Sequence, residues 1–132
     1  MAEHPTLVHI VVRPGPLHNS LLALMSSLPQ IEIVAEGKDM STLLRMGTQM
    51  QPDLVLLETD LPGDGVQEAL GQIKDEWSNT RTIVLVDNDA QQREAQKAGA
   101  DVVLYKGFRA ASLIDIVESF LPENLPAHSE SV

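Results

Sequence analysis

One carboxylate, one guanidinium and one ammonium carry most of the chemistry this sequence offers. Glu58 ends a run of branched apolar residues within Asp-Leu-Val-Leu-Leu-Glu-Thr-Asp-Leu-Pro-Gly at positions 53–63. Arg13 and Pro14 follow a first apolar run, Val86 and Asp87 follow a fourth, and Lys106 follows a fifth. An acid set near two cations is either a reactive group or a fixed charge held by its partners. Other chemistries are poorly provided. There is no cysteine, which excludes disulfides and thiolate metal sites. His4, His9, His18 and His128 share no ligand spacing. The loop Arg-Pro-Gly-Pro-Leu-His at 13–18 has one glycine and is neither a phosphate loop nor G-x-G-x-x-G. No Asp-x-His-x-x-Gly cobalamin-type loop and no Ser/His nucleophile–base pair stand out.

The elements that must position these groups follow from periodicity. Strands are expected at residues 7–12, 31–35, 54–57, 82–86 and 102–105. Between them, Leu17, Leu21, Leu24, Met25 and Leu28 fall at helical spacing, with Pro16 placed to start the helix. Met40, Leu43, Leu44 and Met50 suggest a second helix, and Val66, Leu70, Ile73 and Trp77 mark one face of a third. Residues 89–98 form a weaker helix whose apolar residues are all alanines, with Gly99 as its C-terminal stop. Leu113, Ile114, Ile116, Val117, Phe120 and Leu121 make the last helix. Strands apolar throughout and separated by helices argue for a parallel sheet covered on both faces. Five β-α units suit an α/β, flavodoxin-like, doubly wound three-layer sandwich with strand order 2-1-3-4-5. Ligands of such sheets bind beyond the strand C-termini where the order reverses, so Arg13, Pro14, Glu58, Thr59, Asp60, Asp87 and Lys106 should converge there.

The chain has 132 residues, which suits one domain. Residues 1–121 are expected to form it, and residues 122–132, without periodicity, to be a flexible tail or the start of a linker. The formal net charge is −10. A surface like that repels nucleic acid phosphates, so no direct nucleic acid contact is expected. No window reaches the ~18 apolar residues of a membrane span, and no basic segment followed by an apolar run marks a signal peptide. The expectation is a cytoplasmic domain.

Two segments carry a resemblance. Pro-Asp-Leu-Val-Leu-Leu-Glu-Thr-Asp-Leu-Pro-Gly-Asp-Gly at 52–65 is similar to the segment around the phosphoacceptor aspartate of two-component response regulators. Ala-Gly-Ala-Asp-Val-Val-Leu-Tyr-Lys-Gly-Phe-Arg-Ala-Ala-Ser-Leu at 98–113 is similar to the segment with that family's invariant lysine. From about residue 6 to residue 121 the chain resembles their CheY-like receiver domain.

The resemblance implies five working parts, and four are changed. The acidic pair that holds Mg²⁺ falls on Arg13 and Pro14, the phosphoacceptor on Glu58, the hydroxyl residue on Val86 and the switch aromatic on Val103. Only Lys106 is retained. Gly107 stands where the family has a proline in a cis peptide, so a trans bond is expected. The loop after the third strand is one residue shorter than usual. Mg²⁺ needs carboxylates in an octahedral oxygen shell, and a guanidinium puts a permanent positive charge in its place. Glu58 is also one methylene too long for an in-line attack. The expectation is a degenerate pseudo-receiver that is not an enzyme, with no cofactor and no Mg²⁺. In it Glu58 pairs with Arg13 and Lys106, and Asp87 is a second acid able to pair with Arg13. Its partners would be a protein or a fused effector domain. A homodimer would use the face of the 89–98 helix, the fifth strand and the last helix, around Ala95, Ala98, Val102, Leu104, Tyr105 and Ile116. The alternatives are a working receiver with unusual chemistry in a phosphorelay, or a flavodoxin-like cofactor binder or enzyme.

Overall fold

Strands without a polar face are stable only between two helical layers, and the sequence supplies both layers. The computed structural model describes residues 5–37, 51–59 and 66–121. Among them lie β1 (Thr6–Val11), α1 (Pro16–Ser26), β2 (Ile31–Gly37), β3 (Leu54–Glu58) and α2 (Val66–Glu76). They continue with β4 (Arg81–Val86), α3 (Asp89–Lys97), β5 (Val102–Tyr105) and α4 (Ala110–Ser119). All strand pairs are parallel, in the order β2-β1-β3-β4-β5. That is the expected flavodoxin-like order. The helix expected over 40–50, Asp60, His4, His128 and the tail expected over 122–132 lie outside the described residues. No helix of the described residues is long and apolar enough to cross a membrane.

The two-residue period of the strands sorts their side chains between two cores. Val55, Leu57, Val84 and Val86 face α2 and α3, where Leu70, Ile73, Trp77 and Ala95 complete one core. Leu54, Leu56, Ile83 and Leu85 face α1 and α4, where Leu21, Met25, Leu113 and Val117 complete the other. Glu58 closes β3 as its last residue, in step with Leu54 and Leu56.

Turn chemistry sets the helix ends that flank the site. Gly15 has φ of 149°, a backbone state open mainly to glycine, and Pro16 then starts α1 with a preset φ. The α3 helix has little apolar surface and relies on its cap: the Asn88 side chain accepts from the Gln91 N–H at 2.9 Å. Gly99, with φ of 101°, ends it as expected. Of the residues expected on or near the α3-β5-α4 face, some of them core, Ala95 is fully buried, because α3 turns it onto the sheet. Ala98, Val102, Leu104 and Ile116 are half-buried against the two cores, and Tyr105 is exposed. Trp77 packs just past the end of α2, its N–H donating to the Ile73 carbonyl at 2.7 Å.

A histidine sits among these buried side chains. His9 on β1 is buried, its Nδ1 has no hydrogen-bond partner, and its ring meets Trp77 edge-on at 6.2 Å. Burial disfavours the imidazolium and lowers the His9 pKa to about 4. Below pH 6.5 the unfolded chain takes up a proton here that the native state refuses until about pH 4. The stability given by neutral His9 is therefore complete above pH 6.5 and is lost as pH falls toward 4. Urea denaturation at pH 7 and pH 5 should show a loss of about 2 kcal/mol from this group, and a His9→Leu variant should lose most of that difference.

Candidate functional site

Parallel strands end together, so β1, β3, β4 and β5 deliver their C-terminal residues to one edge. Glu58 is central among them. Its side chain is 3% exposed, and both carboxylate oxygens are engaged. Oε2 accepts from the Arg13 backbone N–H at 2.6 Å and from Arg13 Nε at 3.2 Å. Oε1 lies 3.1 Å from Lys106 Nζ. The two partners differ in exposure, with the Arg13 side chain 51% exposed and that of Lys106 19%. Lys106 also bonds Asp87 Oδ2 at 3.2 Å, so Asp87 meets the lysine in this network.

Opposing influences act on the Glu58 carboxyl. Burial pushes its pKa up, but the Arg13 N–H, the Lys106 ammonium and the Arg13 side chain outweigh that. The group is held below its ordinary value and stays ionised. Lys106 is placed by the sheet itself, because its N–H donates to the Val86 carbonyl at 2.8 Å as β5 ends beside β4. Arg13 is placed by the Pro14-Gly15-Pro16 turn into α1. Beside the network lies a crevice of about 320 Å³, whose walls include Arg13, Pro14, Gly15, Leu17, Glu58 and Lys106.

Val86 and Val103 stand apart from this carboxylate. Val86 is fully buried and faces the α2–α3 core, with no hydroxyl to offer. Val103 pairs with Val84 in the ladder and is half-buried against the same core. Among the described residues no group of three His, Asp or Glu is arranged to hold a metal ion. No peptide bond of the described residues is cis, in line with Gly107 after Lys106.

One participant, Gln91, was not singled out from the sequence. The Thr59 hydroxyl donates to Gln91 Oε1 at 2.9 Å, and the Asp87 N–H donates to the same oxygen at 2.6 Å. The spacing Asn88-x-x-Gln91 is a capping-box pattern that would have flagged Gln91. Nothing in sequence would have paired it with Thr59. On the far side of α3 the Tyr105 hydroxyl bonds Asp89 and lies 3.3 Å from Gln92 Oε1. The hydrogen bond to Asp89 raises the Tyr105 pKa.

The comparisons with known proteins agree on a family. The family described as response regulator receiver domain matches residues 11–118. The transcriptional regulatory protein LiaR of Bacillus subtilis is 32% identical over 114 residues, which is 84% of this chain and 51% of LiaR. The chemotaxis protein CheY of Halobacterium salinarum is 28% identical over 95 residues, 70% of this chain and 78% of that protein. A solved LuxR-family two-component response regulator from Aurantimonas superposes with a TM-score of 0.79 at 23% identity, covering 96% of this chain and 97% of the other. The chain spans about half the length of the curated transcriptional regulators it matches.

Removing the Glu58 charge takes the shared buried acceptor away from Arg13 and Lys106. Glu58→Gln should lower stability by about 1–3 kcal/mol and Glu58→Ala should fall at the upper end of that range. The urea midpoint at pH 7 measures both, with an unchanged denaturant slope expected.

Proposed function

The chain belongs to the response regulator receiver domain family, and from that premise we propose that it works as a pseudo-receiver. On this reading it is a non-enzymatic module of two-component-type signalling that meets its partners without phosphorylation. The observation that carries the reading is the Glu58 carboxylate, buried and held on both oxygens by Arg13 and Lys106.

Phosphoryl transfer to a carboxylate needs a free oxygen in line with the donor and cations to neutralise the moving charge. Here Oε2 has two donors from Arg13, and Oε1 faces Lys106. The donor set also does not fit Mg²⁺. That ion takes oxygen ligands in a near-octahedral shell. The carboxylates at this edge among the described residues are Glu58 and Asp87, and Lys106 Nζ touches both. The residues after β1, Arg13 and Pro14, supply a guanidinium and a ring in place of acids. Val86, at the position where the resemblance puts the family's hydroxyl residue, is buried and has no hydroxyl to offer. We therefore derive no step through a metal.

What remains is a surface. LiaR is named a transcriptional regulator, and this chain matches about half of it. The proposed partner is accordingly an effector domain fused to this one, or a separate protein met in trans, in the cytoplasm. Nucleic acid contact is assigned to such an effector, since this chain carries a net charge of −10. A homodimer through α3, β5 and α4 belongs to the same reading, with Tyr105, 40% exposed, as its large apolar anchor.

The test is an amide NMR titration with Mg²⁺ and then beryllofluoride, an acyl phosphate mimic, beside incubation with acetyl phosphate and intact mass. The expected outcome is no saturable shift at Glu58, Val86 or Lys106 and no phosphoryl adduct. The Glu58→Asp variant should stay inert as well, because the acids after β1 are still missing. Saturable local shifts, or an adduct on Glu58, would overturn the reading.

A further inference from the structure

The Gln91 side chain does more than a helix cap requires. In a capping box the residue at the third helical position reaches back to the N–H at the helix start. Gln91 holds that position after Asn88, and its Oε1 accepts from the Asp87 N–H at 2.6 Å. The same oxygen also accepts from the Thr59 hydroxyl at 2.9 Å. Thr59 is the residue directly after Glu58, on the strand that ends in the ion network. One carboxamide oxygen thus joins the end of β3, the turn after β4 and the first turn of α3.

The opposite side of α3 is tied as well. Tyr105, at the end of β5, bonds Asp89 and approaches Gln92 Oε1 at 3.3 Å. Between these ties, α3 contributes only Ala95 to the fully buried core. A helix with so little buried apolar surface is free to shift unless polar contacts hold it. The contacts that hold it lie at its N-terminal turn, where β3, β4 and β5 all end.

We infer that Thr59 and Gln91 form a latch that fixes the N-terminal turn of α3 to the end of β3, so that α3 and β5 present one constant surface to a partner. The latch itself stands on these hydrogen bonds. Its regulatory meaning, a surface not switched by phosphorylation, rests on the pseudo-receiver reading. Val86, the last residue of β4, is fully buried and has no hydroxyl, while Gln91 Oε1 accepts from the Thr59 hydroxyl.

Thr59→Val tests this, since it removes the hydroxyl, keeps the shape and leaves the Asn88 cap intact. The readout is native-state amide hydrogen exchange of the whole chain, without Mg²⁺ or beryllofluoride. Exchange at Asp87 and residues 89–92 should accelerate about tenfold, the scale of one lost hydrogen bond. Gln91→Ala should do at least as much, although alanine is the better helix former, while Gln91→Glu keeps an acceptor and should stay within about threefold of wild type. Gln96→Ala, on the exposed side of the same helix, should change nothing there. The proposal is overturned if Thr59→Val leaves these amides within about threefold of wild type, which would make Gln91 a cap alone. It is also overturned if Gln96→Ala accelerates them as much as Gln91→Ala does. If Thr59→Val does not fold, the contrast between Gln91→Ala and Gln91→Glu decides in the same way. Because no metal or phosphoryl analogue is present, a failed latch leaves the beryllofluoride result untouched, and the reverse holds too.

Discussion

A carboxylate buried at the end of a central strand must be met by donors where it stands, and Glu58 is met by three. One is a backbone N–H, one a guanidinium and one an ammonium. They come from the turn after β1 and the turn after β5, on either side of β3 and β4 in the sheet. The pairing is possible only if all the strands end at one level, which a parallel sheet ensures. The dependence also runs the other way. Without those donors a buried charge of this kind costs several kcal/mol, and the strand ends would have to open to water. The network therefore fixes the relative positions of the loops that a receiver domain uses for chemistry.

On the proposed reading the same network also limits what those loops can do. A site that works by moving needs groups that lose one partner and gain another. Both Glu58 oxygens are satisfied in the resting arrangement, and Lys106 divides its ammonium between Glu58 and Asp87. Val86 and Val103 are packed into the α2–α3 core, where a branched methyl group has one good position and no hydrogen bond to trade. Motion is further opposed at α3, where polar ties replace the large apolar anchors that the helix lacks.

Much of this was legible in the sequence. Apolar runs such as 54–57 and 83–86 read as strands buried on both faces, and the strand order followed from five alternating units. The convergence of Arg13, Glu58 and Lys106 followed from the rule that strand C-termini form the site. The less legible parts depend on tertiary contact. Which residues of the α3-β5-α4 face belong to the core is set by helix phase against the sheet, and it turns Ala95 inward. Asp87 was a candidate partner for Arg13, and the approach of β5 to β4 brought Lys106 to it. His9 carries no sequence sign of being buried without a partner, because only the packing of Trp77 over β1 makes it so. Thr59 and Gln91 are 32 residues apart, and no local pattern links them.

On the proposed reading Glu58 stands at a phosphoacceptor position, and charge argues against likening it to a phosphorylated aspartate. A phosphoryl group brings nearly two negative charges and three acceptor oxygens, whereas Glu58 brings one charge and two oxygens. Among the described residues its cationic partners, Arg13 and Lys106, already exceed that single charge, and Asp87 bonds the second of them. A phosphoryl group in the same place would have to displace one of these contacts. The electrostatics around Glu58 thus resemble a closed ion network more than an occupied receiver. On the proposed reading, Lys106 has changed role without changing place, from a ligand for a transferred group to the bridge between two fixed acids.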